Sequence, residues 1–455
     1  MEVVKMSKMA WKDVDKTKIF NFCESYIRFL NNSKTERLCT QTIKKIIESN
    51  DYKCICEFDS LKSGDKVYKI NRDKSIIMAK IGDEMPQNGM NIIASHIDSP
   101  RLDLKPVPLY EDSEFALFKT HYYGGIKKYQ WMSIPLSLIG VVIKENGEKI
   151  NISIGEDESD PVFTITDLLP HLAQDQMSKK VSELFTGEDL NVLIGSLPSD
   201  EEKDAVKDNI LKLLEAKYGI CEEDFISSEL ELVPSFKAKN VGFDSSFVGS
   251  YGQDDRICAY TSLIAMIDAS KTTKTTVCYF ADKEEIGSMG NTGTKSMFFE
   301  SFLASLINLT KENYSDIDLK NAFEKSMCLS ADVTVAFDPN YKNVCEPLNS
   351  AYAGGGVCMS KYTGSRGKSS TSDANAEFVA KVRGIFNRNN VKWQIAELGK
   401  VDQGGGGTVA QYIANLNIDT LDCGVPILAM HSPFEVSSKL DVYMAYLGYK
   451  AFFEA

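Results

Sequence analysis

Four histidines occur in 455 residues, and two of them, His96 and His431, directly follow apolar runs. His96 stands in Ser95-His96-Ile97-Asp98-Ser99-Pro100 after the run 90–94, and His431 in His431-Ser432-Pro433-Phe434-Glu435 after 420–430. Carboxylates gather at similar places. The run 275–281 stops in Asp282-Lys283-Glu284-Glu285, and Asp332 falls within the apolar stretch 327–337. Neighbouring carboxylates at a strand end point different ways, so one can hold a metal while the other handles protons. An Asp inside a buried strand is costly unless paired or bound to metal. Asp98, two residues beyond His96, can share its side of an extended chain and orient the imidazole. Each residue alone has a commoner use, as a solvated turn, a hydrogen-bonded histidine or a helix-dipole partner. Two His, two Asp and two Glu arriving together suit a pair of zinc-like ions, borderline-soft imidazole beside hard carboxylate.

The elements that must carry these groups alternate strand and helix at both ends of the chain. Helical spacing over 16–31 puts Ile19, Phe20, Cys23, Ile27 and Leu30 on one face. Ser33 and Glu36 have capping-box spacing for a second helix to about Glu48. Strands are expected over 74–81, 90–94, 275–281, 327–337 and 420–430, and Pro100 ends the one that carries His96. Helices are expected over 257–267, after Asp254-Asp255-Arg256, over 295–309, and from Ser438 to Phe453. In an open α/β sheet the strand C-terminal ends converge on one crevice.

Between these flanks the texture changes. Residues 136–143 and 149–154 read as a hairpin about Asn146-Gly147, and 120–125 as a polar aromatic loop. Ser199 and Glu202 suggest another helix start, ending near Gly219. We expect an α/β fold, a mixed sheet flanked by helices over 1–103 plus 245–455, with a β-rich domain inserted at 104–244. Ala353-Gly354-Gly355-Gly356 and Gln403-Gly404-Gly405-Gly406-Gly407-Thr408 lack the Gly-Lys-Ser/Thr of a phosphate loop. Close backbone approach to a substrate, at Gly405 and Gly406, or a helix start after Gly407 is the expected use.

Composition excludes several classes. The net charge of −13 argues against nucleic acid or an anionic membrane as the main partner. No run of about 18 apolar residues offers a membrane span, and residues 1–18 lack the apolar core of a signal peptide. Eleven scattered cysteines without Cys-x-x-Cys spacing form neither a disulfide framework nor a thiolate zinc site, and fit a reducing, cytoplasmic setting.

Five ordered segments make the chain resemble the aspartyl aminopeptidase family, metallo-aminopeptidases of the co-catalytic zinc clan. They are Ser95 to Asp103, Asp254-Asp255-Arg256, Asp282 to Ser288, Ser330 to Thr334, and Met430-His431-Ser432. Tyr123-Gly124-Gly125 is also similar to the family's insert domain. The resemblance implies two divalent metal ions, zinc with cobalt or manganese as substitutes. One would be held by His96 and Asp332, the other by Glu285 and His431, with Asp254 bridging. Asp98 would orient His96, and Glu284 would be the catalytic base and acid; on sequence order alone the two glutamates can exchange roles. Peptides with a free N-terminus would lose one residue at a time.

The family's acidic preference would need a cation such as Lys361. A histidine delivered by the insert domain of a neighbouring subunit would be His171, in Pro170-His171-Leu172-Ala173-Gln174-Asp175, where Asp175 replaces a second histidine of the family pattern. The resemblance further implies a homo-oligomer, a dimer formed through the insert and building into a dodecamer. Two rival readings differ in kind: a carboxypeptidase or deacylase of the same clan, and a catalytically idle assembly protein.

Overall fold

Strand 275–281 is buried at every position, and the larger of two compact units is built around it. A computed structural model describes residues 10–455, so the first nine residues of the stretch read above as lacking a signal peptide lie outside the described residues. The larger unit takes the chain up to Asp98, then Ala238–Met430 and Phe434–Ala455. The smaller takes Ser99–Lys237 and His431–Pro433.

In the larger unit a nine-stranded mixed sheet runs Lys53–Cys54, Lys66–Asn71, Ser75–Lys80, Thr275–Ala281, Met90–His96, Met327–Ser330, Asp419–Gly424, Val357–Ser360, Trp393–Ile395. Its four central strands, from Thr275–Ala281 to Asp419–Gly424, are parallel. Parallel strands are covered on both faces, and alternate side chains divide accordingly. Ile93, Cys278, Phe280 and Leu329 pack with Cys23, Tyr26, Ile43, Leu263 and Tyr449 from four helices, Lys16–Asn31, Glu36–Glu48, Gln253–Asp268 and Lys439–Phe453. Ile92, Val277, Tyr279 and Cys328 face the other way, onto Phe299, Phe302, Leu306 and Phe323 of Phe298–Thr310 and Asp316–Glu324. Each such side chain contributes about 1.5–3 kcal/mol by leaving water. A second, five-stranded sheet joins Lys239–Val241, Phe247–Ser250, Glu435–Ser438, Pro426–Leu428 and Thr334–Val335.

The smaller unit is an antiparallel six-stranded sheet, ordered Lys149–Ile154, Leu136–Ile143, Ser228–Pro234, Arg101–Asp112, Phe115–Tyr123, Val192–Gly195. The Asn-Gly hairpin forms as expected, with Gly147 at φ +84° and Asn146 Oδ1 accepting from the Glu148 N–H at 2.9 Å.

Several local expectations are corrected. The second helix is capped by Thr35, whose Oγ1 accepts from the Leu38 N–H, and Ser33 is not its cap. Helix Ala205–Tyr218 starts three residues beyond Glu202 without a side-chain cap, and Ser199 Oγ accepts from the Glu201 N–H at 3.3 Å. Residues 120–123 are strand, not loop. The helix expected from 295 begins at Phe298.

Two long apolar runs are each broken between sheets. Residues 327–337 give Met327–Ser330 in the nine-stranded sheet and Thr334–Val335 in the five-stranded one. Residues 420–430 divide likewise at Val425, with Pro426 at the first position of its strand, where a missing N–H is tolerated. The Sγ atoms of Cys54 and Cys56 lie against each other, and the other nine cysteines are free. Among the described residues no helix is long and apolar enough to cross a membrane.

Candidate metal centre

His96 is the last residue of its strand, and Ala281 lies opposite it at the end of the neighbouring parallel strand. Two residues beyond Ser330, on the other neighbour, comes Asp332. Three adjacent parallel strands therefore deliver their following residues to one place at the sheet's C-terminal edge. Asp332 is not within a strand, as expected from the apolar run, but in the three-residue crossing between sheets. A carboxylate there interrupts no ladder.

The His96 ring is fixed from behind. Its Nδ1 lies 3.1 Å from the Asp98 carbonyl oxygen and 3.3 Å from Asp98 Oδ1, so the Nδ1–H donates to Asp98. The opposite nitrogen, Nε2, faces Asp254 Oδ1 at 3.2 Å, Asp332 Oδ1 at 3.9 Å and Glu284 Oε2 at 4.0 Å. An imidazole held by a carboxylate at one nitrogen and presenting the other is the arrangement of a metal-ligating histidine.

Asp98 has a second task. Its Oδ1 accepts from the Glu284 N–H and its Oδ2 from the Glu285 N–H, both at 3.1 Å. Those residues form a short 3-10 turn bounded by Lys283 and Gly287, both in the left-handed region at φ +65° and +90°. Before it, the buried Asp282 accepts from the Lys283 N–H at 2.8 Å and from Thr292 Oγ1 at 2.6 Å. Burial, with the charges of Glu36 and Asp98 adding, pushes the Asp282 carboxyl up to about 7.

Asp254 and Asp255 open the helix Gln253–Asp268 but are not helical themselves, and the peptide bond between them is cis. Both residues are buried. Asp255, fully buried, accepts the His96 backbone N–H at Oδ2, 3.4 Å away. Sequence reasoning gave it no role; the tandem Asp-Asp was the available signal.

His96, Asp254 and Glu285 can each offer an atom within 4.8 Å of the other two, and so can His96, Asp255 and Asp332. Burial holds the Asp255 and Asp332 carboxyls well above the usual range; the His96 charge opposes this, and the neighbouring carboxylates add to it. Burial alone would lower His96, but hydrogen bonding to Asp254 and Asp98 overrides it and raises the imidazole well above its usual value. So much negative charge in so little water needs a cation. One imidazole among hard carboxylates is a donor set suited to a divalent ion, and these residues fit it.

His431 belongs to the smaller unit, with φ +62° and Nδ1 2.9 Å from the Gly125 carbonyl oxygen. That contact puts the proton on Nδ1 and the ring's lone pair on Nε2. His171 is exposed in a short turn of the same unit, Pro170–Leu172. Lys361 pairs with Asp373, which Lys368 also contacts at 2.8 Å.

The glycine-rich loop serves backbone packing. At φ +114°, Gly405 lies so close to the loop beside it that a Cβ would sit 2.4 Å from Ser365 Cα. The Gly406 N–H donates to the Thr363 carbonyl oxygen at 3.0 Å.

Comparison with known proteins places this arrangement in a family. The sequence model for aminopeptidase I zinc metalloproteases (M18) matches residues 29–453. A probable M18 family aminopeptidase 1 of Clostridium acetobutylicum is 50% identical over 460 residues, covering 99% of both chains. The crystal structure of an M18 aminopeptidase from Thermotoga maritima superposes with a TM-score of 0.96 at 47% identity, covering 98% of each chain. That of aminopeptidase I from Clostridium acetobutylicum does so at 0.91 and 50%, again over 98% of each. The resemblance read from five short segments is thus borne out over nearly the whole length, and the named aminopeptidase relatives favour a peptide hydrolase over a catalytically idle assembly protein. The chain belongs to the M18 family of zinc metalloprotease aminopeptidases and is a peptide hydrolase that uses a divalent metal.

Proposed function

We propose that this enzyme removes single residues from the free N-terminus of peptides with a dinuclear zinc centre. His96 and Asp332 would hold one ion, Glu285 and His431 the other, and Asp254 would bridge them. The observation that carries this reading is the convergence of Asp254, Asp332 and Glu284 within 4.0 Å of His96 Nε2. When bound, such ions supply Lewis acidity to the carbonyl and lower the pKa of water.

The chain's own part is positioning and proton transfer. Asp98 keeps the His96 Nδ1–H occupied and the Glu284–Glu285 turn in place. Glu284 is the most exposed of the three carboxylates facing His96 Nε2, 17% at its side chain against 10% for Asp332 and 5% for Asp254. It takes a proton from the attacking water on its carboxylate and returns it to the departing amine nitrogen as the C–N bond breaks. The atoms balance: one water is consumed, and an amino acid and a shortened peptide leave.

Metal analysis with a panel of aminoacyl-coumarins, free and N-blocked, tests the proposal. Two ions per chain and activity only on free amines are expected. Full activity on blocked substrates would favour the carboxypeptidase or deacylase reading instead. The same panel measures the side-chain preference. An acidic preference requires a cation directed at the substrate, and Lys361 is already engaged by Asp373.

For assembly we infer a homo-oligomer formed through the smaller unit, a dimer building toward a dodecamer. Leu168, Leu169, Leu172, Met177 and Val181 are 51–78% exposed along one short segment, and such apolar exposure favours a protein interface. Light scattering should give a mass near twice or twelve times the 50.6 kDa chain.

A further inference from the structure

The bridging role proposed for Asp254 demands that its backbone be held, although it lies at a helix start whose own dihedrals are not helical. Gly252, at the N-cap of that helix, has no side chain to supply that hold. Glu435, 1% exposed on the strand Glu435–Ser438, supplies it. Its Oε2 accepts from the Gln253 N–H at 2.7 Å and from the Asp254 N–H at 3.1 Å.

The residue between these contacts is locked as well. Gln253 is fully buried, and its side-chain amide uses every hydrogen-bonding position it has. Its Nε2 donates to the carbonyl oxygens of Val248 (3.1 Å) and Glu435 (2.7 Å). Its Oε1 accepts from Tyr26 Oη (3.1 Å) and Ser437 Oγ (2.6 Å). Strand Glu435–Ser438 therefore grips the residue before Asp254 by both side chain and backbone.

We propose that Glu435 is a positioning residue for the metal centre, a buried side chain that fixes the Gln253–Asp254 backbone and so aims Asp254 at His96. The inference rests on the dinuclear reading above and extends it to a residue outside the donor set. A buried acid is costly unless it is hydrogen-bonded, and acceptance of two N–H groups at a helix start recovers that cost. Glu435 also lies four residues after His431 in the chain, so one short segment would supply a ligand and steady another.

The test is Glu435→Gln, which keeps the side chain's size and removes its charge. By analogy with other groups that orient metal ligands, we expect zinc affinity, measured by equilibrium dialysis, to fall about 10–100-fold. The cobalt-substituted protein should show a changed visible absorption spectrum, and kcat should fall while KM stays within about twofold. Wild-type zinc affinity and an unchanged cobalt spectrum in a folded Glu435→Gln protein would overturn the proposal, even if its melting temperature dropped. If that variant does not fold, Glu435→Asp is read the same way, since it keeps the charge but withdraws it by one methylene.

Asp254→Asn separates the two levels of inference. Loss of zinc in Asp254→Asn with normal binding in Glu435→Gln defeats only the positioning role. Normal zinc binding in both defeats the reading of Asp254 as a ligand, and the positioning role with it.

Discussion

Gly424 and Asp332 touch backbone to backbone: a Cβ on Gly424 would lie 1.8 Å from the Asp332 carbonyl oxygen. Gly424 ends the strand beside Met327–Ser330, at the point where the chain carrying Asp332 crosses between sheets. No side chain fits there without moving Asp332. Gly424→Ala should therefore displace that carboxylate and lower both metal content and turnover by about 10–100-fold, the range seen when a ligand loses its support. Metal analysis of the purified variant checks this; a protein with full metal content would disprove the link.

Asp98 supports the His96 ring and the Glu284–Glu285 turn at once, and its loss should be felt at both. Asp98→Ala frees the His96 ring and releases the backbone at Glu284 and Glu285. We expect kcat to drop at least 100-fold, with weakened metal binding. Asp98→Asn, which can still accept one of the two N–H bonds, should fall between that variant and the wild type.

Glu284 and Glu285 should separate cleanly by experiment. Glu284→Ala is expected to keep its metal and lose about 10²–10⁴-fold in kcat, the usual contribution of a general base. Glu285→Ala should lose metal. The reverse pattern would exchange the two roles.

Asp422 supplies a pH dependence of stability. Burial lifts its carboxyl to about 6, with the hydroxyl of Thr408, 2.8 Å away, and that of Ser330 opposing the rise. The folded-state pKa lies above the unfolded value of 3.8. The native state thus binds the proton more tightly, and the associated stability is present below about pH 4 and lost as pH rises through about 6. The loss is on the order of 3 kcal/mol at one pKa unit per 1.36 kcal/mol. Asp422→Asn keeps an acceptor for Thr408 and should flatten this part of the stability curve. Urea unfolding at pH 4, 5, 6 and 7 compares the two; parallel curves would refute the assignment.

Removal of metal should destabilise the native state, since the carboxylates around His96 then repel one another in a poorly hydrated site. Chelation should abolish hydrolysis and lower the melting temperature, and added zinc should restore both. Calorimetry across such a cycle is the direct measurement.

Much of the chemistry was legible in the sequence because it depends on chain-local facts. His96, the Glu284–Glu285 pair and the strands before them follow from apolar runs that end in polar residues, and a strand's last residue is fixed by its own neighbours. The Asn-Gly hairpin and the helices 16–31 and 439–453 were readable for the same reason. What the sequence could not decide was pairing at a distance. The run 327–337 looks continuous until its two halves hydrogen-bond into different sheets, and that break puts Asp332 at the site. Asp255, Gly424 and Glu435 gain meaning only from partners more than 90 residues away in the chain. Such contacts leave no periodicity in one sequence, because they are made by tertiary packing of elements whose order in space differs from their order in the chain.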